Sequence, residues 1–272
     1  MMRAKACRPG RGRLGVVPPT SRGLRVHSRE PVLNVPPSIA WMFAVLALVH
    51  VSRGLLTAED DAWLVRAMGF IPARYTEAGH QLPGGATAAV TSFLTHMLLH
   101  GDLTHLLVNG AWLLAVGSPL ARRIGALRLL GLGFVSGSAG ALTFLAVNPG
   151  LAAPVVGASG AISGLMGALF RLIFATGDGP DRHLPREEPW NAPRLGLWAT
   201  FTDRRALAAV VVWIVLNLVF ASWLGGLLTN DGIAWEAHIG GFLAGLLTFG
   251  AFDTGPVKVT GASAGEEEGP FA

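Results

Sequence analysis

Six predominantly apolar stretches, each close to the length a helix needs to cross a hydrocarbon core, divide this 272-residue chain. In such a core the backbone has no water to bond. A spanning segment must satisfy its own N–H and C=O groups, as an α-helix does. The predicted spans are 38–56, 103–120, 126–147, 159–175, 206–228 and 234–252. The expected fold is therefore an all-α polytopic membrane protein, a bundle of six transmembrane helices. Only 14% of the residues are charged, against about 25% in soluble domains, which excludes an ordinary soluble protein.

Residues 1–37 carry Arg3, Lys5, Arg8, Arg11, Arg13, Arg22, Arg25 and Arg29 against a single acid, Glu30, with no helical apolar face. They are expected to be a disordered basic cytoplasmic tail. Residues 38–253 make the membrane domain. Residues 254–272 make a polar cytoplasmic tail that includes Glu266, Glu267 and Glu268. Six spans put both termini on one side. The turn after the second span holds Arg122, Arg123 and Arg128, and the loop after the fourth holds Arg182, Arg186, Arg194, Arg204 and Arg205. The loops after the third and fifth spans hold no Lys or Arg. The positive-inside rule then places both termini in the cytoplasm. On this reading the basic charge sets topology, and no nucleic-acid partner is expected. Cys7 is the single cysteine, which excludes a disulfide scaffold and a cysteine-based zinc site within one chain.

On that topology the second, fourth and sixth spans enter from the outer face. His100, His105 and Asn109 lie at the start of the second, Ser159 at the start of the fourth and His238 at the start of the sixth. Taken alone, Ser159 is a small residue that lets helices pack, as Gly160 and Gly164 do in their G-x-x-x-G spacing. Its level with His238, His105 and Asn109 changes that, because polar side chains within spans are costly and mark function. His105 and Asn109, four apart, share one helix face. A zinc site on His100, His105 and His238 is the rival chemistry. It uses neither Ser159 nor Asn109, and no H-E-x-x-H pattern occurs.

A serine hydrolase uses the whole group. His238 takes the proton of Ser159, which attacks a carbonyl. The Ser159 backbone N–H and the Asn109 side chain donate to the oxyanion; His105 donates too, or positions Asn109. No Asp or Glu is placed to orient His238, so a Ser–His dyad without a third member is expected. No cofactor and no metal are required.

Three motifs make the resemblance specific. They are His100-Gly-Asp-Leu-Thr-His105-Leu-Leu-Val-Asn109, Gly157-Ala-Ser159-Gly160 and Ala237-His238-Ile-Gly-Gly241-Phe-Leu-Ala-Gly245. Their types, order and spans resemble those of the rhomboid intramembrane serine proteases, over roughly 70–252. The resemblance implies a rhomboid-like six-helix bundle with a water-filled cavity, with Ser159 and His238 catalytic. His100, Gly157, Gly160, Gly241 and Gly245 support the site. It implies single-span membrane proteins as substrates, cut near their outer ends within the lipid bilayer. A multi-pass protein of a bacterial inner membrane is expected. A catalytically silent rhomboid-like protein that binds membrane clients is the alternative. The chain departs from the family's habit in three places. There is no Trp-Arg pair in the first loop, Ala121 stands where a Glu is common, and Ser163 stands where a Tyr often packs on the base.

Overall fold

The computed structural model describes residues 34–76, 81–175, 193–219, 234–255 and 257–258. The tail 1–33, most of the loop 176–203, the end of the fifth predicted span (220–228) and 259–272 lie outside them. From Val35 onward the chain clusters as one unit. Among the described residues its α-helices in chain order are α1 (Pro37–Arg53), α2 (Ala58–Met68), α3 (Gly85–Thr95), α4 (Leu103–Trp112), α5 (Ser118–Ile124), α6 (Ala126–Val147), α7 (Ser159–Ile173), α8 (Leu197–Thr202), α9 (Arg204–Val219) and α10 (Trp235–Phe252). A π-helical stretch, Leu113–Gly117, joins α4 to α5. Among the described residues two helical runs, Leu103–Ile124 and Ala126–Val147, are long and apolar enough to cross a membrane. α1 and α7 are apolar but shorter.

The stretch between the first two predicted spans folds into α2, a 3-10 turn (Pro72–Tyr75) and α3. Local chemistry explains α2. The Thr57 hydroxyl accepts from the Asp60 N–H, and Glu59, Asp60 and Asp61 fill the first turn, where the helix dipole favours acids. Asp61 then takes a two-pronged pair with Arg53, at 2.7 and 3.0 Å, tying α2 to the end of α1. Buried Arg74 holds the loop without a Trp-Arg pair. It donates to the carbonyls of Pro83 at 2.8 Å and Arg66 at 2.6 Å. Phe70 packs edge-on against Phe93 of α3 and forms an antiparallel bridge with Val155. The loop before α7 is thereby paired on one edge.

α6, α7 and α10 form the centre. Where α7 and α10 cross, a Cβ at Gly241 would meet the Gly160 carbonyl, and one at Gly245 the Gly164 carbonyl. Only glycine lets the two backbones come this close. Leu129, Leu132, Leu165, Ala168 and Phe249 fill the core between these helices, and Phe170, Val210, Phe242 and Leu246 join α9 to α7 and α10.

At the far end of α10 the buried Asp253 receives Arg123 of α5 at 2.9 Å and Arg194 at 3.0 Å. Arg194 opens a two-residue strand, β1 (Arg194–Leu195), that pairs in parallel with β2 (Val257–Lys258), a small ladder the sequence reading did not anticipate. Buried Arg171 of α7 donates to the carbonyls of Leu195 and Leu246. Desolvation pushes the Asp253 carboxyl up, but Arg123, the Gly255 N–H and Arg194 outweigh it and hold it below the usual carboxylate range. A carboxylate with a depressed folded pKa stabilises above its unfolded value, and that stability is lost as pH falls through the folded value. Asp253→Ala is expected to cost about 3–5 kcal/mol, because two buried guanidinium groups lose their counter-charge. Thermal unfolding in detergent should show a lower Tm at neutral pH. The gap to wild type should narrow on acidification below the ordinary carboxylate value.

Candidate active site

The chain enters α7 through Gly157. Its φ of 120° is open to glycine and strained for other residues. Its N–H donates to the His96 carbonyl at 2.9 Å, and a Cβ there would lie 2.7 Å from His105 Nε2. Glycine is thus required twice, by conformation and by the imidazole lying against it. Ala158 caps the helix, and Ser159 is its first residue. The N–H groups of this first turn have no carbonyl one turn back to bond, and they carry the positive end of the helix dipole.

His238 sits in the first turn of α10, which the glycine crossing presses against α7. The Ser159 Oγ–His238 Nε2 distance is 2.8 Å. This is hydrogen-bond length, with the hydroxyl donating when Nε2 is unprotonated. His238 Nδ1 lies 3.0 Å from Asn217 Oδ1 on α9. The sequence places no Asp or Glu to meet this nitrogen. A neutral amide fills the place. The signal that would have found it is an Asn inside an apolar span, where an unpaired amide is costly.

Asn109 of α4 is buried at 4% exposure, and its Nδ2 has no hydrogen-bond partner among the described residues. A buried N–H without a partner costs about 1–3 kcal/mol. Nδ2 lies 3.6 Å from where a Cβ on Gly157 would be, so the idle donor faces the loop that delivers Ser159. His105 occupies the same wall, its ring edge-on to His100 at 5.1 Å. Fully buried His100 has no hydrogen-bond partner for either ring nitrogen among the described residues. It backs His105, and its carbonyl accepts Arg53 at 2.7 Å. His96, at the end of α3, bonds within that helix. Its Nδ1 meets the Ser92 carbonyl at 2.7 Å. Glu236 turns away from His238 and accepts from Asn148 at 3.0 Å.

The zinc alternative finds no geometry here. No group of three or more His, Cys, Asp or Glu side chains able to hold a metal occurs among the described residues. His238 has both ring nitrogens committed to Ser159 and Asn217. A hydroxyl hydrogen-bonded to a held imidazole, beside idle N–H donors at a helix start, is an arrangement able to carry out acyl transfer.

Residues 87–252 match the family model described as Rhomboid domain. The chain is 28% identical over 182 residues to RHOMBOID-like protein 5 of Arabidopsis thaliana, an alignment covering 66% of this chain and 47% of that protein. It is 32% identical over 151 residues to RHOMBOID-like protein 4 of the same plant, covering 55% and 30%. Against Rhomboid-like protease 5 of Toxoplasma gondii it is 31% identical over 151 residues, covering 56% and 15%. The chain spans less than half the length of each of these relatives. The family match covers more than half of the chain and contains Asn109, Gly157, Ser159, Asn217 and His238, and on it the chain belongs to the rhomboid family.

Proposed function

We propose that this protein is an intramembrane serine endopeptidase of rhomboid type. The observation that carries the reading is the 2.8 Å contact between Ser159 Oγ and His238 Nε2. His238 Nε2 takes the hydroxyl proton as Oγ attacks the scissile carbonyl. The oxyanion is met by the Ser159 N–H and Asn109 Nδ2, with His105 beside them. The imidazolium returns the proton to the leaving amine, and an acyl-enzyme forms. Water, deprotonated by the same nitrogen, then releases the acid and restores Ser159.

The surrounding fold supports a site below the membrane surface. The domain (38–253) is read as six spans with both termini cytoplasmic. α7 has 15 residues, about 22 Å at the rise of an α-helix, short of a core about 30 Å thick. Its missing turns are the loop 148–157, so Ser159 starts inside the outer leaflet. Val155 spends its N–H and C=O on Phe70, and the Gly157 N–H bonds His96. The opposite edge, at Val156, remains for an extended substrate strand. A substrate helix must unwind to expose its carbonyl, so Gly or β-branched residues near the cut should help.

The relatives are of plant and Toxoplasma origin. They support a membrane location and lend nothing to a bacterial one. A silent family member that only binds membrane clients would keep the fold without turnover, and a serine-directed probe separates the two readings. Labelling that Ser159→Ala removes is expected. An unlabelled wild type in folded form favours the silent reading. With a single-span substrate whose N-terminus lies outside, mass spectrometry should place the cut near the outer boundary, after a small residue such as Ala. Cuts clustered at the cytoplasmic boundary would contradict both the site and the topology.

A further inference from the structure

An imidazole has two nitrogens, and a serine-activating base needs its proton on the one that faces away from the serine. In this protein that nitrogen, His238 Nδ1, lies 3.0 Å from Asn217 Oδ1. The amide is oriented by a second bond. Asn217 Nδ2 donates to the Trp213 carbonyl one turn earlier in α9, at 3.0 Å. Exchanging the amide's O and N would set oxygen against the Trp213 carbonyl oxygen. One orientation alone satisfies both neighbours. Trp213 is itself fixed, stacked on Phe242 of α10 with ring centroids 4.1 Å apart and planes 16° from parallel. The turn of α9 that supplies the carbonyl is therefore locked to the helix that carries His238.

We propose that Asn217 is a positioning residue for His238. It accepts Nδ1–H, holds the tautomer whose bare Nε2 faces Ser159, and makes a Ser159–His238–Asn217 relay where the sequence promised a dyad. The inference rests on the reading of this site as that of a serine protease. An amide does this work without adding a buried charge to a low-dielectric site. It also stabilises the imidazolium, because a hydrogen bond from a charged donor is stronger than one from a neutral donor. Two other ionisable side chains bear on the base. His105 of α4 lies against Gly157, two residues before Ser159, and Glu236 of α10 is engaged by Asn148. Neither takes the Nδ1 hydrogen bond.

The test compares wild type, Asn217→Ala and Asn217→Asp, reconstituted, on one fluorogenic single-span substrate across pH. Asn217→Ala should lower kcat/KM about 10- to 100-fold through kcat, the scale seen when an imidazole at a metal site loses its orienting partner. Its acid limb should move to lower pH, since the imidazolium loses a hydrogen bond. Asn217→Asp keeps an acceptor and adds charge. It should recover most of the rate, with the acid limb moved to higher pH. Should the Ala variant fail to fold, the direction of the limb in the Asp variant decides. Limbs unmoved in the folded variants, or a wild-type rate in Asn217→Ala, would overturn the role of Asn217. 15N NMR of histidine-labelled wild type should find the neutral His238 protonated at Nδ1; protonation at Nε2 would overturn it equally. A wild type that neither cleaves nor takes a serine probe overturns the protease reading itself, a result distinct from all of these.

Discussion

Ser159→Ala is expected to reduce proteolysis by roughly 10⁴–10⁶-fold, and His238→Ala by a similar factor, while the double variant is no worse than either single one. On the proposed function the two side chains, 2.8 Å apart, act in one proton transfer. An unactivated serine hydroxyl is a weak nucleophile, and a base with no proton to take does nothing. What survives comes from binding and from the oxyanion donors, which neither substitution removes. Ser159 is half-buried at the start of its helix, so its Oγ can be lost with little change in packing. Tm in detergent should stay near wild type, separating loss of chemistry from loss of fold. Turnover of a purified substrate checks it. Full activity in either single variant, or losses that multiply in the double, would sink the relay.

Asn109→Ala should lower kcat by about 10²–10³-fold, the scale for one oxyanion donor. Its effect on stability should be small. Nδ2 has no protein partner among the described residues, so truncation breaks no protein hydrogen bond from that atom. The variant is expected to unfold near the wild-type temperature while turning over slowly. A structural asparagine would behave oppositely, losing stability and keeping kcat. Measuring both quantities on one preparation decides between the two roles.

Much of this was legible in the chain. The bounds of α6 were read from hydropathy alone, and α10 begins and ends within a residue of expectation, because apolar runs of membrane length leave the backbone few other options. The three motifs that bring Ser159, His238 and Asn109 to one level carry their own order. Gly241 and Gly245 announce a close helix crossing by their spacing. The first loop was less legible. Its acids and prolines suggest a connection, whereas Thr57 capping and the buried Arg74 make it an ordered element.

Sequence by itself determined the residue types, the apolar helical character of the chain and, through its motifs, the family, because hydropathy and motif spacing are local. The tertiary structure decided the partner of the base. Asn217 lies 21 residues from His238 and on a different helix. Its place inside an apolar span marks it as costly, but nothing local names His238 as its partner. It reaches Nδ1 where α9 packs on α10, with Trp213 stacked on Phe242 one turn away. Side-chain packing between helices fixes that approach, and a sum over contacts distant in sequence has no local signature.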